Sequence, residues 1–280
     1  MNRQTIYSRI TDTILSKLKE GTIPWKRSWK IGLPANYISK RIYSGINFLS
    51  LLVNDFASPY YLTYLQCSKK QGKILKGAKG IPIIFWKITD IANKDIDDMS
   101  NEVKQVPIAR LSYVFNLTQT DLYKDNADQL KIYSCESIIE GMGDNRPVIK
   151  HNPVRSYYSS KKDYISIPQI DDFDNPDEYY STLFHELIHW TGNINRLNRL
   201  SIISDVDKYS LEELTAEIGS AYLCGLTGIE SNVIDNQSSY IEGWYRNLQS
   251  NRDALIKASL QAQKAIDYIL RDYSQLSASS

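Results

Sequence analysis

His185-Glu186-Leu187-Ile188-His189 constrains this chain more than any other stretch. On a helix, imidazoles four residues apart share a face and can grip one Zn²⁺ from one side. The Glu between them then stands where it can take a proton from a water activated at that ion. This is the layout of a zinc-dependent hydrolase, most often a peptidase. The flanking residues predict the helix independently. Asn175-Pro176-Asp177-Glu178 reads as an N-cap, a Pro at the first helical position, acids in the first turn and a Glu placed to close a capping box. Gly192 supplies the stop, and Tyr180, Phe184, Leu187 and Trp190 give the apolar stripe. The chain has three histidines, and two of them fall in this motif.

A tetrahedral site needs a third protein ligand. No further histidine follows the motif, and Cys224 is less expected in a hydrolytic centre. A second helix from Ser210 to Cys224 is the better source. Ser210-Leu211-Glu212-Glu213 reads as a capping box, which gives Glu213 a structural task at the helix start. Glu217 lies one turn further in, with Leu214, Ile218 and Ala221 around it. A carboxylate on an apolar face needs a partner, and the metal supplies one; the competing partners are Arg196 and Arg199. Glu217 is therefore the expected third ligand, with Glu213 in reserve. Ala216, Gly219, Ser220 and Ala221 are small enough to let this helix approach the first closely.

With 42% hydrophobic and 23% charged residues, the 280-residue chain should bury a core, as two domains or one large one. The opening residues lack a signal-peptide core, and no apolar run reaches the roughly 18 residues of a membrane span. Cys67, Cys135 and Cys224 are few, odd in number and widely spaced, as expected of reduced thiols in a cytoplasmic protein. The net charge of +1 conceals a polarity. Residues 1–89 hold 15 basic against 3 acidic residues, a net of +12, and residues 121–280 carry a net of −9. A basic front half points to a polyanionic partner.

That front half opens with an amphipathic helix on Ile6, Ile10, Ile14 and Leu18, ended by Gly21. Aromatics and cations then interleave: Trp25, Lys26, Arg27, Trp29 and Lys30, followed by Lys40, Arg41 and Tyr43. Residues 46–56 read as a buried helix. Between Lys69 and Gly80, five lysines (Lys69, Lys70, Lys73, Lys76 and Lys79) and three glycines suggest a mobile basic loop or hairpin. A strand over 81–86 and a partner over 110–118 flank a polar excursion. Cations that neutralise phosphates beside aromatics that stack on bases suit single-stranded nucleic acid. Behind a polar connector, 163–168 reads as a strand that could line a cleft. Residues 239–248 and 255–269 read as helices, and the end of the chain as disordered.

The run Phe184 to Gly192, then Arg196-Leu197-Asn198-Arg199, then Glu212-Glu213-Leu214-Thr215-Ala216-Glu217-Ile218-Gly219 resembles the ArdC family of antirestriction proteins. In the front half, Gly21-Thr22-Ile23-Pro24-Trp25, Tyr43-Ser44-Gly45-Ile46-Asn47, Lys76-Gly77-Ala78-Lys79-Gly80 and Phe85-Trp86-Lys87 are similar to that family's N-terminal domain. The resemblance covers nearly the whole chain. It implies an α+β protein of two domains carried by a plasmid, conjugative element or phage. Residues 1–125 would form a basic α+β domain that binds single-stranded DNA. Residues 126–280 would form a mainly helical zincin-like metallopeptidase domain with a small sheet and a disordered tail at 273–280. It further implies that His185, His189 and Glu217 bind zinc and that Glu186 is the catalytic acid/base. The partners implied are single-stranded DNA and a protein substrate, host restriction components among them, with no membrane. The rival reading is a non-proteolytic strand-coating protein of conjugation or replication whose zinc is structural or vestigial. An acidic mimic of DNA fits poorly, because the front half has the wrong sign.

Overall fold

The computed structural model describes residues 3–25, 32–54, 56–92, 103–124, 133–200, 206–229 and 238–271. Lys26, Arg27, Trp29 and Lys30, the middle of the polar excursion and the C-terminal tail lie outside the described residues.

Helix α1 (Arg3–Lys19) buries Ile10, Ile14 and Leu18, one helical turn apart. Gly21, at φ 81°, ends it in a left-handed turn that a β-carbon would disfavour. After the short strand β1 (Ala35–Asn36) comes α2 (Gly45–Leu52), where Ile46, Phe48, Leu49, Leu51 and Leu52 are all buried. A helix apolar on every side must sit inside the fold. Strand β2 (Tyr60–Leu62) leads to α3 (Tyr64–Lys69), opened by a capping box of Thr63 and Gln66. Strands β3 (Ile81–Ala92) and β4 (Val103–Asn116) form a long antiparallel ladder, and the sheet order is β1-β2-β4-β3. Asn47 of α2 covers the outer edge of β3: its Nδ2 donates to the Ile84 carbonyl at 2.8 Å and its Oδ1 accepts the Ile84 N–H at 2.7 Å.

The lysine-rich stretch between α3 and β3 is not a hairpin but a loop held against the turn after β4. Its backbone donors find partners in the turn that follows β4: Lys73 N–H donates to Asp121 Oδ1 at 2.7 Å and Leu75 N–H to the Gln119 carbonyl at 2.9 Å. Its lysine side chains remain exposed.

Helix α4 (Cys135–Glu140) precedes a second sheet of β5 (Val148–His151), β6 (Tyr157–Ser159) and β7 (Tyr164–Ile167), in the order β5-β7-β6. Strand β7 is central, with Ile165, Ser166 and Ile167 buried. The strand expected to line a cleft is therefore covered on both edges, and the open edges belong to β5 and β6. Helices α5 (Pro176–Thr191), α6 (Val206–Thr227), α7 (Ser238–Ser250) and α8 (Ala254–Ile269) complete the chain. α6 packs on α5 and α8. At Gly219 of α6, a β-carbon would fall 2.6 Å from Ile188 Cδ1 of α5, so the two helices meet with no room for a side chain. Among the described residues, no helix is long and apolar enough to cross a membrane.

One apolar core joins the front of the chain to its end. α1 packs on α7, and α2 on α8. Phe48 of α2 meets Tyr222 of α6 edge-on at 5.1 Å. Trp25 is 0% exposed and lies edge-on to Trp244 of α7 at 6.3 Å. The expectation that Trp25 stacks on bases is corrected: its ring fills the core where α1 and α7 meet. Truncating a buried Trp costs about 3–5 kcal/mol, which makes it a packing residue. Cys67, Cys135 and Cys224 are free and buried, and burial pushes the Cys135 thiol up to about 11.

Candidate metal centre

The motif helix starts as its sequence requires. Asn175 Oδ1 accepts the Glu178 N–H at 3.0 Å, Pro176 needs no donor at the first position, and Asp177 and Glu178 face the positive end of the helix. At the other end the Gly192 N–H returns to the His189 carbonyl at 2.8 Å. Between these stops His185 and His189 lie one turn apart on the face towards α6, with their Nε2 atoms 3.1 Å apart.

Helix α6 begins at Val206, a turn earlier than the capping pattern suggested. Ser210 and Glu213 are thus inside the helix, and Glu213 has no capping task. Its carboxylate instead lies 3.6 Å from His185 Nε2 and 3.6 Å from His189 Nε2. One ligand atom from each of His185, His189 and Glu213 lies within 4.8 Å of the other two. Glu217, the expected third ligand, is not in this group. It is buried one turn further along α6 and acts on His185 through its charge.

The donor set fits a small divalent cation. Two ligands at about 2.05 Å in a tetrahedron stand about 3.3 Å apart, close to the Nε2 separation here. The charge balance agrees. Burial alone would lower the His185 pKa, yet Glu213, Glu217 and Glu186 together raise it. A buried imidazole held among three carboxylates marks a place short of positive charge.

A second layer orients His189. Glu212 Oε1 lies 3.2 Å from His189 Nδ1, so Nδ1–H donates there and the Nε2 lone pair is left facing Glu213. Arg199 grips the same carboxylate from Nε and Nη2, each at 2.9 Å. It also donates to the Ile188 carbonyl at 2.7 Å and to Thr191 Oγ1 at 3.0 Å, which ties the loop after the motif to the end of α5. Burial pushes the Glu212 pKa up, but His189 and Arg199 outweigh it and hold it low. Arg199 is therefore engaged by Glu212 and not by Glu217. Arg196 is engaged by Asp163 and stacks 3.9 Å over the Trp190 ring. Tyr158 donates to Asp163 at 2.7 Å, and burial together with that carboxylate pushes its pKa up to about 12.

The centre opens into a cavity of about 530 Å³ lined by His185, Glu186, His189 and Glu213 on one side and by Tyr157 and Tyr158 of β6 on the other. Glu186 is itself buried. Glu212, Arg199 and the β6 tyrosines were missed in the sequence. The sequence offers Arg199 only as a competing partner for Glu217.

The expected nucleic-acid residues divide. Arg41, Lys69, Lys70, Lys73, Lys76 and Lys79 are exposed. Lys40 sits 4.0 Å over the Tyr60 ring and 5.0 Å over that of Tyr37. Tyr43 is half-buried, edge-on to Tyr61 and hydrogen-bonded by Asn36, so its ring is not open for stacking. The open rings are others: Tyr64 (66% exposed), Phe85 (60%) and Tyr113 (43%). Arg110 stands directly across the ladder from Phe85.

Residues 136–261 match the zincin-like metallopeptidase domain family, and residues 4–115 match the N-terminal domain of anti-restriction factor ArdC. The metal-free crystal structure of the antirestriction protein ArdC from plasmid R388 superposes with a TM-score of 0.79 at 30% identity, over 96% of this chain and 98% of that one. Its Mn(II)-bound form superposes with a TM-score of 0.77, over 95% and 97%. The chain belongs to the ArdC family of antirestriction proteins. DNA primase TraC of Escherichia coli is 29% identical over 292 residues, which is 96% of this chain and 27% of the primase. Protein y4eC of Sinorhizobium fredii is 29% identical over 282 residues, 94% of this chain and 91% of y4eC. This ArdC-family chain thus spans about a quarter of the primases it matches. The α+β, two-domain expectation holds, with an ArdC N-terminal domain followed by a zincin-like one.

Proposed function

We propose that this chain is an antirestriction protein of a mobile element that binds single-stranded DNA through residues 1–125 and carries a zinc-dependent peptidase site in residues 126–280. The observation that carries the reading is the convergence of His185, His189 and Glu213 on one point at the mouth of a cavity that also holds Glu186. The Mn(II)-bound state of the R388 protein supports a divalent cation. Two imidazoles and a carboxylate favour zinc.

His185 and His189 would hold the ion through Nε2, and Glu213, rather than the expected Glu217, through its carboxylate. When bound, the ion supplies Lewis-acid polarisation of a carbonyl and a lowered pKa for its water. Glu186 takes the proton of the attacking water and passes it to the leaving amine. Glu212 keeps His189 in the tautomer that presents Nε2. Tyr157 lines the same cavity, and hydrogen bonding from Tyr164 lowers its phenol pKa; we assign it the role of donor to the developing oxyanion. The open edge of β6 along this cavity suits an extended peptide, which would add as a further strand. Exposed lysines on the basic half, with Tyr64, Phe85 and Tyr113 open beside them, suit a strand with unpaired bases.

The test is Glu186→Gln, which leaves all three ligands in place. The variant should keep one metal per chain by elemental analysis and lose cleavage of a quenched fluorescent peptide library by at least 100-fold. It should also lose protection of incoming plasmid DNA in a restricting host. Undiminished protection would mean that the chain acts by coating strands and that hydrolysis is dispensable.

A further inference from the structure

The front half holds a second cavity of about 530 Å³, remote from the metal centre in sequence and walled by α1, the end of α2 and the loop that leads into β3. Its lining is chemically mixed. Phe56 offers an apolar ring, Asn54 a carboxamide that both donates and accepts, Thr13 a hydroxyl, and Lys79 an exposed ammonium. The loop wall is tied by hydrogen bonds. Gln119 Nε2 donates to the Lys79 carbonyl at 3.2 Å, and Ala78 N–H donates to the Leu75 carbonyl at 3.1 Å. Gly77 takes a left-handed conformation, φ 86°, at the cavity wall. Beside the cavity, the Tyr113 ring packs against Gly80 with 43% of its surface exposed, and Arg9 of α1 donates to its hydroxyl at 3.2 Å.

We propose that this cavity is a nucleotide pocket. It holds one unit of a single strand, with the phosphate on Lys79, the base against Phe56 with an edge read by Asn54, and the next base on Tyr113. The proposal rests on the nucleic-acid reading above and deepens it. Three observations favour a nucleotide: a cation, a ring and a two-way hydrogen-bonding amide line one cavity in the basic half of the chain. A purely apolar pocket would lack the cation and the amide, and a bare phosphate site would not need the cavity.

The test uses the full chain, a fluorescein-labelled oligothymidylate and the corresponding duplex. Ala78→Phe fills the cavity without touching a charge. It should weaken single-strand binding by roughly 5- to 100-fold, the range for losing one stacked base, and leave the salt slope unchanged. Lys79→Ala should lower that slope by about 0.7, the release expected for one phosphate on a single strand. Photocrosslinking of a 5-iodouracil-substituted strand should mark the peptide that contains Phe56 or Tyr113. Unchanged affinity of a folded Ala78→Phe variant, or crosslinks confined to other peptides, overturns the pocket. If Ala78→Phe loses its helical circular dichroism, Asn54→Leu is read in its place, and the crosslink map of the unmodified chain needs no variant. If the unmodified chain binds no single strand at low salt, the nucleic-acid reading falls and the pocket falls with it. If it binds while the variants match it, only the pocket falls.

Discussion

Replacing Glu212 with Gln should separate what the buried pair does for folding from what it does for the metal. The side chains of Glu212 and Arg199 are each 6% exposed, and two contacts of 2.9 Å join them. Gln keeps an acceptor near His189 but strands a guanidinium in the interior. Breaking a buried pair from one side costs about 3–5 kcal/mol, and the retained acceptor puts this case near 3. At roughly 2–4 °C per kcal/mol for a chain of this size class, the metal-free protein should melt about 6–12 °C lower. Metal affinity should fall about 10- to 100-fold, because His189 loses the charged partner that fixes its tautomer. The double change Glu212→Leu with Arg199→Met then distinguishes the two effects. An apolar pair of similar volume is near neutral in place of an ion pair. It forfeits the Arg199 bonds to the Ile188 carbonyl and Thr191, about 1 kcal/mol each, so roughly a third or more of the lost stability returns. Affinity should not return, since a Leu at position 212 offers His189 Nδ1 no acceptor at all. The assays are scanning calorimetry on chelator-stripped protein and zinc titration against a competing chelator. Wild-type melting of the single variant, or affinity that recovers in step with stability in the double, would refute this account.

Three further outcomes follow from the same geometry. Glu213→Gln should weaken metal binding at least tenfold more than Glu217→Gln in the same competition assay, and the reverse order would hand the third ligand to Glu217. Gly219→Ala presses on Ile188 and should cost about 1–3 kcal/mol, less about 1 that Ala gains over Gly in a helix; adding Ile188→Val, which removes Cδ1 but leaves Cγ1 at 2.8 Å, should recover part of the lost melting temperature, and a single variant clearly more stable than the parent would mean that α5 and α6 are not so close. Arg196 holds the Asp163 pKa below its ordinary 3.8, so the unfolded chain takes up that proton first as pH falls. This contribution is therefore complete above about pH 5 and fades as pH drops below 3.8 through the folded value. Urea midpoints at pH 6 and pH 3 should fall further apart for the wild type than for Asp163→Asn, and parallel behaviour would remove the pair from the acid response.

The motif helix was legible because its signals are local. A cap, a first-turn Pro, an apolar stripe and a stop all lie within 18 residues of one another, and each follows from single-helix physics. Which carboxylate of α6 stands beside the imidazoles was not legible for an equally physical reason. Glu213 and Glu217 are four residues apart and share one face of α6. Which of them reaches the imidazoles depends on how far α6 slides along α5. That axial register is set by contacts such as Gly219 against Ile188, 31 residues away in the chain. The capping pattern at Ser210 conceals this. It is a sound start signal, but the helix begins a turn earlier at Val206, which leaves Glu213 inside the helix and beside the imidazoles. Trp25 failed on the same principle over a longer range, because the residue that buries it, Trp244, lies on the far side of both domains in sequence. Local pattern fixes an element and its faces. What a face meets is decided by packing between elements, and in this chain the carboxylate that stands beside the two imidazoles and the fate of one tryptophan both depend on it.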